Sequence, residues 1–223
     1  LMLVTPSDHV IHDQTNFRSS VLTGSTFAND GQLVTFGVTP RGPETGFGYI
    51  RKGFDLGGVN RVNKFVEKPD IEMAKEYVES GDYLWNCGVF MMRASVWLSQ
   101  IGRFRSDILE ACISASKGGD VDGHFYRPDQ EEFLRCPSES IDYAVMENIG
   151  DDSLDGNLLE GEDGKGCVVL PLDVGWSDLG AWSSVHAERE QDSQGNVIDG
   201  DVYTQSTNDS LLISTHKMLA TVG

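Results

Sequence analysis

Residues 62–92 read VNKFVEKPDIEMAKEYVESGDYLWNCGVFMM. Val62-Asn63-Lys64-Phe65-Val66 predicts a strand. Asp70 then stands where a helix N-cap belongs, because its carboxylate can accept from the free amides of a first turn. Ile71, Ala74 and Val78 fall on one helical stripe, which Gly81 ends. Gly88-Val89-Phe90-Met91-Met92 is an apolar run short enough for a strand. Strand, helix, strand is the repeating unit of an α/β fold.

The same alternation extends in both directions. Upstream, Leu1-Met2-Leu3-Val4-Thr5 predicts a strand with both faces covered. Phe17, Val21, Leu22, Ser25 and Ala28 form a helical stripe closed at Asn29-Asp30-Gly31, and residues 33–38 form a strand. Pro40 to Gly48 is rich in proline and glycine and reads as a loop before the strand Tyr49-Ile50-Arg51. Downstream, Ser95 opens one long helix with Val96, Trp97, Ile101, Phe104, Ile108 and Cys112 inward. A short helix spans 140–149, a strand spans Cys167 to Leu170, and a helix runs from Gly180 to Glu188. Strands at 211–214 and 219–222 close the chain. The pattern predicts α/β with a largely parallel sheet.

Composition bounds the partners. The 223 residues carry 17 Lys plus Arg against 35 Asp plus Glu, a net charge of −18. That charge argues against nucleic acid, which needs a dense positive stripe, but leaves room for one small phosphorylated ligand. No apolar run reaches the roughly 20 residues that cross a bilayer, so no membrane partner is expected. Cys87, Cys112, Cys136 and Cys167 are scattered without a C-x-x-C pair, which reads as reduced thiols in a cytoplasmic protein.

In α/β sheets, ligands gather beyond the carboxyl ends of strands. That rule selects Asp8, the pair Glu67-Lys68, and Asp178. Two separate carboxylates could share one hard cation, and Lys68 could meet a phosphate as a point charge. Each Asp could equally cap the helix that follows it.

Six stretches, in order, resemble the sugar-nucleotidyltransferase family and, within it, the mannose-1-phosphate guanylyltransferase branch. They are Thr5-Pro6-Ser7-Asp8-His9, Pro43-Glu44-Thr45-Gly46-Phe47-Gly48, Phe65-Val66-Glu67-Lys68-Pro69, Trp85-Asn86-Cys87-Gly88, Ser140-Ile141-Asp142-Tyr143-Ala144-Val145-Met146-Glu147 and Asp173-Val174-Gly175-Trp176-Ser177-Asp178. The resemblance implies a Rossmann-like sheet with helices on both faces over residues 1–190, and the start of a β-rich region over 191–223. It implies that GTP and mannose 1-phosphate give GDP-mannose and pyrophosphate, with Mg²⁺ as cofactor. By motif, Asp8 and Asp178 would hold the metal, Glu67 would accept from mannose hydroxyls, and Lys68 would meet the sugar phosphate. Gly48 would let the backbone approach the sugar, with Asn86 and Asp142 reaching the same ligand. Trp176 and Trp182 are expected in the core. Base choice is left open by these motifs. A sister enzyme for glucose 1-phosphate and a non-catalytic regulatory homologue are the alternatives.

Two departures shape the expectation. The family's Gly-rich phosphate loop, G-G-x-G-T-R, has no match here, so the chain is expected to be a fragment, inactive by itself and dimeric in its full-length form. Residues 151–162 form an acidic insertion with the oxygen spacing of a calcium loop. Its strand context favours a solvated loop.

Overall fold

The computed structural model describes residues 1–149 and 166–223. The acidic stretch at 151–162 lies outside the described residues. In chain order the elements are β1 (Met2–Val4), β2 (Val10–Ile11), α1 (Gln14–Asn29), β3 (Leu33–Val38), β4 (Gly48–Asp55), β5 (Asn60–Glu67), α2 (Ile71–Ser80), β6 (Tyr83–Met92), α3 (Ala94–Phe104), α4 (Ser106–Lys117), β7 (Asp120–Asp122), β8 (Phe125–Arg127) and α5 (Gln130–Leu134). A π-helical turn (Asp142–Met146) runs into α6 (Glu147–Ile149), followed by β9 (Cys167–Leu172), β10 (Trp176–Ser177), α7 (Trp182–Glu188), β11 (Val197–Asp199), β12 (Val202–Gln205), β13 (Leu211–Ile213) and β14 (Leu219–Val222). The described residues fall into two compact units, one of residues 1–6 and 13–174, the other of residues 7–12 and 175–223.

The first unit is built on a six-stranded sheet ordered β1-β6-β3-β9-β5-β4. The α/β class holds, but the sheet is mixed rather than largely parallel: β3 and β9 run parallel, while the other pairings in this sheet are antiparallel. Alternation of strands with helices does not distinguish a crossover from a hairpin, and β4 to β5 is a hairpin. Ten-residue β6 pairs β4 through Tyr83–Trp85, β3 further along, and β1 at its end. At that edge Leu3 and Val4 are exposed rather than covered, because β1 has one neighbour among the described residues.

Successive strand side chains point to opposite faces, and both faces of this sheet are covered. On one, Gly24 of α1 comes so close that a Cβ there would sit 3.1 Å from Phe36 and 3.3 Å from Val34. On the other, Leu33, Phe90, Met92 and Val169 pack with Val96 and Ile101 of α3, Ile108 of α4 and the turn residues Ala144–Met146. Asp70 caps α2 by accepting from the Met73 amide, and Gly81 ends it at φ 69°.

Several expected core positions fall outside. The helix expected from Ser95 to Cys112 is two helices, broken at Arg105, whose φ of −144° is not helical. After the break the stripe shifts, so Ala115 is buried and Cys112 is exposed. Leu22 and Ile71 lie on the solvent edge of their stripes, and Tyr77 takes the inward place on α2. Trp176 is buried as expected, whereas Trp182, the first residue of α7, is 73% exposed.

In the second unit β2 and β10 make an antiparallel ribbon. The strands β11 and β13 run parallel to each other, as do β12 and β14. The Asn196 side chain is buried beside this pair, donating to Thr207 O at 2.8 Å and accepting from Ser210 N at 3.1 Å.

Candidate active site

The carboxyl end of β5 delivers Glu67, and the chain turns sharply at the next residue. Lys68 sits at φ 48°, a left-handed conformation that costs a residue with a side chain on the order of 1 kcal/mol or more. Pro69 disfavours the right-handed helical alternative at Lys68 by clashing with the residue before it. The Lys68 amide donates to Phe47 O at 3.2 Å, tying the corner to the loop before β4. This turn brings Lys68 Nζ within 3.4 Å of Glu67 Oε1; the lysine side chain is 56% exposed and the glutamate 10%.

Gly48 opens β4 directly across from Glu67. A Cβ at Gly48 would collide with Glu67 Oε2 and lie 3.1 Å from Asn86 Cβ, so the missing side chain is what lets the carboxylate lie there. Asn86 reaches this point because β6 bulges: between the pairs Thr35–Phe90 and Gly37–Asn86, β6 takes four steps where β3 takes two. Gly88 absorbs the distortion at φ 69°, as a bulge requires of one residue. The Gly88 amide donates to Asn86 Oδ1 at 3.1 Å, which turns the amide nitrogen outward to donate to Asp142 Oδ1 at 2.9 Å.

The charges here are acidic and poorly solvated. Burial pushes the Glu67 carboxyl above its ordinary range, and the Asp142 charge adds to that; Lys68 opposes, and Glu147 adds a smaller push. Burial likewise raises Asp142, against hydrogen bonds from its own amide and from Asn86. Glu67 Oε2 is buried with no hydrogen-bond partner among the described residues, a state that costs free energy unless a donor arrives. Acceptors beside one exposed ammonium suit a ligand rich in hydroxyls and carrying a phosphate.

Asp8 and Asp178 belong to the other unit. Asp8 precedes β2 and Asp178 follows β10, so the antiparallel register, with Val10 opposite Ser177, puts both at the same end of the ribbon. Trp176 holds that end by donating from Nε1 to His9 Nδ1 at 3.2 Å, with the rings edge to face. Next to Asp178, Leu179 takes φ 52°. A Cβ at Gly180 would strike Asp178 Oδ2, so the missing side chain is what lets the carboxylate lie there. Two carboxylates at one end of the ribbon are hard oxygen donors of the kind Mg²⁺ takes one or two at a time, completing its shell with water and phosphate oxygens.

A family model for nucleotidyl transferases matches residues 1–195. The chain belongs to the nucleotidyl transferase family. Among curated relatives, it is 43% identical to a mannose-1-phosphate guanylyltransferase of Escherichia coli K12 over 228 residues, covering all of this chain and 45% of the relative. It is 46% identical over 202 residues to a xanthan biosynthesis protein of Xanthomonas campestris, covering 91% of this chain and 40% of the relative. The chain thus spans a little under half the length of these curated relatives. A solved structure titled mannose-1-phosphate geranyltransferase, from Thermus thermophilus, superposes with a TM-score of 0.74 at 28% identity, over 99% of this chain and 62% of that one. A mannose-6-phosphate isomerase from Helicobacter pylori gives 0.65 at 29% identity, over 79% and 63%.

The family motifs therefore separate into two groups by unit. Gly48, Glu67, Lys68, Asn86 and Asp142 are brought together in the first, and Asp8 and Asp178 in the second. Sequence reading gave no role to Gly180, Leu179, Gly88 or Glu147. Gly88 falls inside a quoted motif, where close backbone approach is the usual reason for the residue, so a signal was present for it. Nothing in one sequence marks Leu179 as left-handed or ties Glu147 to a strand that ends 80 positions earlier.

Proposed function

We propose that the full-length protein transfers GMP from GTP to mannose 1-phosphate. An oxygen of the sugar phosphate attacks the α-phosphorus of GTP, the bond from that phosphorus to the β-phosphate oxygen breaks, and pyrophosphate leaves with the electron pair. Little covalent work falls to the protein in such a step, and positioning with charge screening carries the rate. Lys68 meets the sugar phosphate. Glu67 and Asp142 accept from sugar hydroxyls, Asn86 orients Asp142, and Gly48 clears the approach to the ring. Asp8 and Asp178 would hold Mg²⁺, which would supply neutralisation of phosphate charge.

The observation that supports this most is the buried Glu67 Oε2 beside Gly48 and Lys68, without a hydrogen-bond partner among the described residues. A carboxylate kept desolvated next to an ammonium is matched by a hydroxylated ring bearing an anion. The names of the guanylyltransferase relatives point to mannose and guanine among the sugars and bases this family handles.

Calorimetric titration of the full-length protein tests the reading. Mannose 1-phosphate is expected to bind at least about tenfold more tightly than glucose 1-phosphate or inorganic phosphate, since each buried hydrogen bond to a charged group is worth about 1.5–3 kcal/mol. Glu67→Gln should remove most of that preference. Preference for glucose 1-phosphate would assign a sister reaction. Tight binding of GDP-mannose with no turnover would assign a regulatory protein.

A further inference from the structure

Glu147 has no part in the roles above, yet it makes the longest-range side-chain contact at this site. Its Oε1 accepts from the Glu67 backbone amide at 2.7 Å. The geometry behind that contact is unusual. Asp142 and Glu147 are five residues apart, and in an α-helix that spacing puts side chains about 140° apart around the axis. Here the turn is π-helical over Asp142–Met146, and the Glu147 amide donates to the Asp142 carbonyl, five residues back. Widening the turn cuts the angle between the first and sixth residues to well below that value, and both carboxylates lie at the end of β5. Asn148 supports the widened turn by donating from Nδ2 to the carbonyls of Tyr143 at 3.1 Å and Ala144 at 3.4 Å. Such π-turns are rare and concentrate at functional sites.

We propose that Glu147 is a positioning residue for the sugar-phosphate subsite, acting through Glu67, and that the π-turn exists to place it there together with Asp142. This rests on the functional reading above. The Glu67 amide is the last one before the left-handed corner at Lys68. Anchoring it fixes where the Glu67 carboxylate and the Lys68 ammonium both project. Without the anchor, the strained corner at Lys68 is free to relax, and the two groups lose their common aim. The charged groups facing the Glu67 carboxyl are Lys68 from the corner, Asp142 from the π-turn and Glu147 from α6. The Glu147 charge therefore also helps hold the Glu67 proton.

Steady-state kinetics on the full-length protein with Glu147→Ala and Glu147→Gln separates this from a fold-supporting role. Glu147→Ala is expected to raise KM for mannose 1-phosphate about tenfold and leave KM for GTP within about twofold. Glu147→Gln keeps a carbonyl acceptor for the Glu67 amide, so KM should recover to within about threefold of wild type near neutral pH. It also removes a negative charge, so the acid limb of kcat/KM for mannose 1-phosphate should move to lower pH. If Glu147→Ala fails to fold, Glu147→Asp, which keeps the charge but draws the acceptor back from the Glu67 amide, should raise KM for mannose 1-phosphate and leave KM for GTP in place. Equal rises in both KM values, or an acid limb that stays in place, would overturn the proposal. A wild-type protein that neither binds nor turns over mannose 1-phosphate would remove the functional reading, and this role with it.

Discussion

Lys68 and Leu179 are two of the four residues with side chains held at positive φ among the described residues. Each sits at or beside a charged group given a role in the reaction. Strain of this kind persists only where the surroundings over-determine it. At Lys68 the surroundings are visible: Pro69 behind it, Phe47 O on its amide and Glu147 on the amide of Glu67. Gly48 is the complementary case, a residue whose value lies in what it lacks. Gly48→Ala should leave the fold intact, because φ there is ordinary and β4 is paired on both sides. It should raise KM for mannose 1-phosphate by about tenfold or more in the kinetic assay, since the new methyl displaces the Glu67 carboxylate, and a misplacement of about 1 Å can cost 10²-fold. Unchanged KM would mean that Glu67 does not read the sugar. Glu67, Lys68, Gly48 and Asn86 were all legible from motifs. The orientation of Asn86 was not, because it depends on a bulge that shows only when β6 is laid against β3.

At the scale of elements, caps and turn glycines were the most legible features. Asp70 and Gly81 bound α2 in the structure where the sequence places them. The break between α3 and α4 was not legible, and the reason is local. The Arg105 guanidinium clamps Asp107 with two hydrogen bonds, at 2.9 and 2.8 Å, and pairs with Glu139. Residues two apart do not face each other on a helix, so this fork forms only if the helix stops. The hydrophobic stripe runs on across residues 105–106 with no Gly or Pro to mark the change. The clamp has a signature in pH. Its hydrogen bonds from Arg105 hold the Asp107 carboxyl below the ordinary aspartate range. Stability from that shift is present above the ordinary pKa and is lost as pH falls through the depressed one. Thermal unfolding of Asp107→Asn should therefore lack part of the acid-side loss seen in wild type, and identical pH profiles would contradict the clamp.

For the whole molecule, the legible part was the class and the family, because six ordered motifs fix both. Sheet direction was illegible for a general reason: strand and helix periodicities say which face is apolar, not which way a neighbour runs. The pairing of β2 with β10, which joins Ser7–His12 to residues far along the chain, has no marker in the sequence either. The acidic balance of the chain argues against nucleic acid as a partner and leaves any phosphate chemistry to a few cations, of which Lys68 lies beside the Glu67 carboxylate. In such a molecule, a metal is the natural way to bring polyphosphate against a surface of net charge −18. The most direct test is pyrophosphate release by the full-length protein from GTP, mannose 1-phosphate and Mg²⁺, compared with Asp8→Ala and Asp178→Ala. Release is expected to need both substrates and to fall about 10²-fold or more in each variant, the scale on which losing one charge-stabilising group acts. Undiminished release from either variant, or none from folded wild-type protein, would contradict it.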